Sequence, residues 1–250
     1  AIMALLMSLV ALSIDGILPA LAVIGTDLGV TDTQKHQLLI TMIFLGLGFG
    51  QLIFGPLSDS YGRKPIIYVG FLVFAIASII CVNTTSYEVL IAGRILQGIG
   101  LASPRTLSIA MIRDSYEGDY MAKVMSFIVM IFILIPIIAP TLGQYLMLTH
   151  NWQTIFNVQL GLGILVLFWF WKRQPETLAV SKRIPFRAAT LSSGFIEFFK
   201  HKQAVAFTLI SGFITGSFMV YLSTTQHIFE IQYNLGEDFP LIFPLSINPS

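Results

Sequence analysis

Three ionisable side chains lie inside long apolar runs of this chain: Asp15, within Ser13-Ile14-Asp15-Gly16-Ile17-Leu18-Pro19-Ala20-Leu21, and Arg94 and Arg105, both in the run from Gly93 to Arg105. At the centre of a membrane helix each costs about 2.5–3.5 kcal/mol or more, so each has to face protein or water and find a partner. A carboxyl held at that depth can take a proton from one side and release it on the other. It can equally stay ionised against an arginine, or cap a kink at Gly16 and Pro19. A guanidinium there can grip an acceptor through its planar fork. At about 100° per residue, Arg94, Gly98, Leu101 and Arg105 share one helix face, with small residues beside the guanidiniums. No nucleotide-binding loop, metal-ligand cluster or nucleophile–base set accompanies these groups in the sequence. The expectation is therefore no enzyme and no cofactor, with a proton as the coupling ion.

Membrane helices must position these groups. Hydrophobic residues make up 55% of the chain and charged residues 11%, and the mean hydropathy is +0.81, whereas soluble domains carry roughly 25% charged residues. Stretches 2–24, 38–58, 66–82, 88–110, 124–148, 153–171 and 204–229 each approach the roughly 20 residues needed to cross about 30 Å of hydrocarbon. An eighth is expected to begin near Phe239. The first is read as a span rather than a cleaved leader, because no basic segment precedes it and Asp15 sits in its middle. Spans one and four run in opposite directions, which puts Asp15 and Arg94 slightly outward of the midplane and within side-chain reach.

The loops after spans two, four and six hold Arg63, Lys64, Arg113, Lys123, Lys172, Arg173 and further basic residues as far as Lys202; the opposite side holds only Lys35. The basic loops, and with them the N-terminus, are expected in the cytoplasm. The net charge of +1 leaves no basic stripe for nucleic acid. Cys81, the single cysteine, reads as a small core residue. The stretch from Lys172 to Gln203 reads as a connector carrying a surface-lying amphipathic helix around Leu191 to Lys200, drawn to anionic lipid.

The connection between spans two and three reads Gly55-Pro56-Leu57-Ser58-Asp59-Ser60-Tyr61-Gly62-Arg63-Lys64-Pro65. Taken alone it is a tight turn that ends one helix near Leu57 and starts another at Ile66. Its spelling, G-P-L-S-D-x-x-G-R-K-P, resembles the loop between helices two and three of the major facilitator superfamily at nearly every position. Three further stretches resemble the same family. R-x-x-Q-G-x-G from Arg94 is similar to its second signature, in which the arginine lies near the acidic residue of span one and is linked to proton movement. D-G-I-L-P-A-L from Asp15 resembles span one of twelve-span drug/proton antiporters of the bicyclomycin/chloramphenicol-resistance type. A-P-x-L-G from Ala139 resembles a span-five signature of exporters, with Ala139 and Gln144 in place of glycines; Pro175-Glu176-Thr177-Leu178 adds an ending known from the same group. Met7 occupies a position, two turns before Asp15, where such antiporters can carry a second acid.

The resemblance implies an all-α membrane protein with the facilitator bundle: a six-helix N-terminal half over residues 1–171, a cytoplasmic connector over 172–203, and the start of the second half over 204–250. It implies Asp15 and Arg94 in proton coupling. It also implies a conformational latch of Gly55, Asp59, Gly62, Arg63, Arg113 and Asp114. Pro136, Pro140 and Gly143 are expected to bend span five and let a neighbouring backbone approach. Gln97, Arg105, Met130, Phe132 and Tyr221 are candidates for a substrate pocket; Arg105 departs from the family pattern and can reach toward the cytoplasmic surface or hold an anionic group. The function implied is proton-coupled export of small amphipathic compounds across a bacterial inner membrane, by a protein that is a monomer when full length and has small-molecule substrate and membrane lipid as its partners. An importer of a sugar or metabolite, or a non-transporting membrane sensor, is the alternative.

Overall fold

The computed structural model describes residues 2–30, 32–186 and 196–228. Every regular element among them is helical, and six helices are long and apolar enough to cross a membrane: Ile2–Asp27, Leu38–Tyr61, Arg63–Asn83, Tyr87–Ser115, Gly118–Thr149 and Gln153–Arg173, spans one to six in chain order. A seventh long helix, Lys202–His227, follows and touches span two. The expected eighth span from Phe239 and residues 191–195 of the expected surface helix lie outside the described residues, while 196–200 are helical.

Span four is the hub of the bundle. It packs most extensively against spans two and three, while span one packs against spans five, four and six. Backbone contact makes this possible: a Cβ on Gly98 would overlap the Ile43 carbonyl of span two, so small residues bring the two helices together as membrane helices require. Span five, by contrast, is largely exposed.

One local expectation is corrected. The helix expected to stop near Leu57 runs through Pro56 to Tyr61. A proline there removes one amide donor near the polar end of the helix, where the loss is small. Gly62 is the actual stop; its φ of 104° lies in the region L-residues avoid. Span five is helical from Gly118 to Thr149, with Pro136 and Pro140 inside it. Cys81 is fully buried, as a core residue should be.

Candidate functional site

Span one is interrupted where Asp15 sits. The first helical segment ends at Asp15, Gly16 and Ile17 turn, and Pro19 lies in the 3-10 turn Leu18–Ala20 before the helix resumes at Leu21. Pro19 offers no N–H to the Asp15 carbonyl four residues earlier, and a helix end leaves its last carbonyls without amide partners. Side chains from other spans reach two of the carbonyls at this end. The Ser13 carbonyl accepts both Nη1 and Nη2 of Arg94 at 3.1 Å. The Leu12 carbonyl accepts the Gly16 N–H at 3.0 Å and Gln159 Nε2 of span six at 3.3 Å.

Arg94 is completely buried. Its Nε donates to the Leu39 carbonyl of span two at 3.1 Å, and its Nη1 also donates to Gln97 Oε1 at 2.7 Å. Gln97 Nε2 in turn donates to Ser78 Oγ of span three at 3.0 Å, and Phe156 of span six lies 5.8 Å below the guanidinium. One arginine thus ties spans one, two and four directly. The sequence places Asp15 and Arg94 close enough to pair, yet no ion pair joins them. The guanidinium goes to the carbonyl end of the half-helix, where the partial negative charge favours a cation. The Asp15 side chain is 3% exposed and its Oδ1 has no hydrogen-bond partner.

The residues expected in a substrate pocket separate. Gln97 is enclosed between Arg94 and Ser78 and forms no open wall, because both ends of its amide are taken. Arg105 and Phe132 do meet: the guanidinium stands 5.8 Å from the ring centroid, a cation–π contact between spans four and five. Phe132 belongs with a small cluster around Ala4, Met7, Ile112 and Ile128, whereas Tyr221 packs against the main core, and Met130 is more than half exposed. In span five, Gly143 sits at the interruption of span one, and a Cβ there would overlap the Gly16 carbonyl.

At the end of the bundle where the basic loops lie, Arg63 is the centre of a polar network. Its Nη1 donates to Asp59 Oδ1 at 2.6 Å and Ser58 Oγ at 2.7 Å, and its Nε donates to Asp114 Oδ2 at 3.0 Å. Spans two, three and four are joined this way. Gly55 contributes its carbonyl to Ser58 Oγ at 2.7 Å. Arg113 is exposed and joins no ion pair among the described residues. A further member is Glu176, whose carboxylate accepts the backbone N–H groups of Arg63 and Lys64, at the start of span three, and of Thr177 and Leu178, all at 3.0 Å. Thr177 Oγ1 adds a bond to Asp114 at 3.2 Å.

Sequence reasoning missed Glu176, Ser78 and Gln159 as members of these networks. For Gln159 the signal was available, a primary amide in an apolar run, but weaker than a charge. For Glu176 the P-E-T-L ending marked the position but not its partners across the bundle, Arg63 and Lys64, which lie more than a hundred residues away.

The family model described as Major Facilitator Superfamily matches residues 3–248. A bicyclomycin resistance protein homolog of Haemophilus influenzae is 32% identical over 235 residues, covering 94% of this chain and 59% of that protein. Multidrug resistance protein MdtL of Klebsiella pneumoniae is 35% identical over 153 residues, covering 61% of this chain and 39% of that protein. The chain therefore spans less than two thirds of the length of these relatives. Among solved structures, a D-xylose–proton symporter matches with a TM-score of 0.59 at 16% identity over 92% of this chain and 60% of that one. The human organic anion transporter MFSD10 matches with a TM-score of 0.56 at 23% identity over 74% of this chain and 48% of that one. At these identities the two structures speak for the fold.

Proposed function

This chain belongs to the major facilitator superfamily, a family of transporters and not of enzymes, and we propose that it forms the front part of a proton-coupled exporter of small amphipathic compounds. The observation that carries this reading is the Asp15 carboxyl, buried at an interruption of span one with Oδ1 unpartnered. A buried carboxyl without a fixed cation is free to exchange a proton when water reaches it, which an alternating-access cycle allows from each side in turn. The resistance-protein names of the relatives support drugs as the cargo. The excess of Lys and Arg in the loops after spans two, four and six supports a cytoplasmic N-terminus in a bacterial inner membrane.

In this reading Arg94 holds the carbonyl end of the half-helix that carries Asp15, and Arg105, Phe132 and Met130 line the path of the cargo. The Arg63 network is a latch that opens and closes with the cavity. Full length, the protein acts as a monomer. The test is to energise everted vesicles containing the full-length protein and add an amphipathic drug. Alkalinisation of the lumen is expected; acidification by added substrate would mean an importer, and no proton movement with any of a panel of compounds would mean that the protein does not couple transport to protons.

A further inference from the structure

A cavity of about 640 Å³ opens between the ends of spans one, four, five and six, on the side where the basic loops lie. The transport reading does not use it. Lys123 of span five and Arg173 of span six line it, and neither makes an ion pair or side-chain hydrogen bond among the described residues. Among the described residues no carboxylate lines it. Tyr116 and Tyr120, with ring centroids 5.2 Å apart, and Trp169 contribute amphipathic rings at the same level. Deeper in, the wall is apolar, and Phe127 and Trp169 are 50% and 46% exposed, so the wall continues onto the outer surface of the bundle.

We propose that this cavity binds the phosphodiester headgroup of an anionic phospholipid. Two cations that join no ion pair among the described residues, placed between membrane helices at the polar boundary, are the recognition chemistry for lipid phosphate. Tyrosine and tryptophan supply donors and a ring surface suited to the headgroup level. The volume lies within the roughly 300–1,000 Å³ of ligand pockets and accommodates a glycerophosphate head with its first methylenes. Free phosphate shares the anionic chemistry, but it would leave the apolar wall without a partner; an acyl chain covers that wall and leaves along Phe127 and Trp169. The inference rests on the orientation proposed above only in choosing the leaflet.

The full-length protein in detergent is offered phosphatidylglycerol, phosphatidylcholine or sodium phosphate; retained lipid is counted by native mass spectrometry and thermal unfolding is followed in parallel. Preferential retention of phosphatidylglycerol and a raised midpoint are expected, with no effect of phosphate at the same concentration. Lys123→Gln with Arg173→Gln should reduce the preference at least about fivefold, while Lys123→Arg with Arg173→Lys should keep it. Equal retention of the two lipids, undiminished preference in the double glutamine variant, or equal stabilisation by phosphate alone would each overturn the proposal. Failure of drug export with lipid retention intact would count against the transport reading and leave this one standing.

Discussion

Arg94 donates two hydrogen bonds to the Ser13 carbonyl, two residues before Asp15, and none to the Asp15 carboxylate. The arginine of span four therefore holds the backbone that presents the acid, while the acid itself is left without a fixed cation. A guanidinium suits this task because its planar fork reaches Ser13, Leu39 and Gln97 together. In the proposed function this is a division of labour: fixed charge on the frame, exchangeable proton on Asp15.

Arg94→Lys should accordingly not be conservative. An ammonium keeps the charge but cannot serve three acceptors in these directions, and acceptors left buried without a donor cost about 1–3 kcal/mol each. In the full-length protein, drug-driven proton flux should fall at least several-fold at equal membrane abundance. Unchanged rate and pH profile in the lysine variant would reduce Arg94 to packing.

Gly143→Ala tests the contact between spans five and one. The added methyl would overlap the Gly16 carbonyl beside the interruption, and relieving such overlap costs about 1–3 kcal/mol. A lowered thermal midpoint together with reduced transport is expected. A variant as stable and as active as the parent would show that the two backbones are free to separate there.

Gly62→Ala and Glu176→Gln test the junction of spans two and three. Alanine would have to adopt a φ of 104° and would place its methyl 2.7 Å from Glu176 Oε2, so about 1–2 kcal/mol is expected from the backbone alone. Glutamine replaces one accepting oxygen by an amide donor facing the N–H groups at the start of span three, with a loss of about 1 kcal/mol expected for such a cap. Both should lower the thermal midpoint of the full-length protein, Gly62→Ala more. Equal midpoints for the parent and both variants would remove the junction from the latch.

What the sequence made legible was whatever contrasts with its apolar background. Asp15 and Arg94 stand out as charges in apolar runs, and Arg63 with Asp59 and Asp114 through a charged break between spans. Partners chosen by three-dimensional proximity were not legible. Whether Arg94 binds a carboxylate or a carbonyl depends on where span one is interrupted, and Gln97 turns inward because Ser78, on another helix, meets its amide. Prolines misled in the opposite sense. Pro56 reads as a stop, yet the helix tolerates one missing donor near its end and terminates at the glycine whose backbone angle compels it.

The proposed proton carrier is Asp15. Asp15→Asn preserves size and removes the exchangeable charge, so the full-length variant should reach the membrane in normal amount and bind cargo. The deciding measurement is drug-induced proton efflux from energised everted vesicles, compared between parent and variant at matched abundance. Drug-dependent alkalinisation is expected in the parent and none in Asp15→Asn; alkalinisation at the parental rate in the variant would show that Asp15 is not the proton carrier.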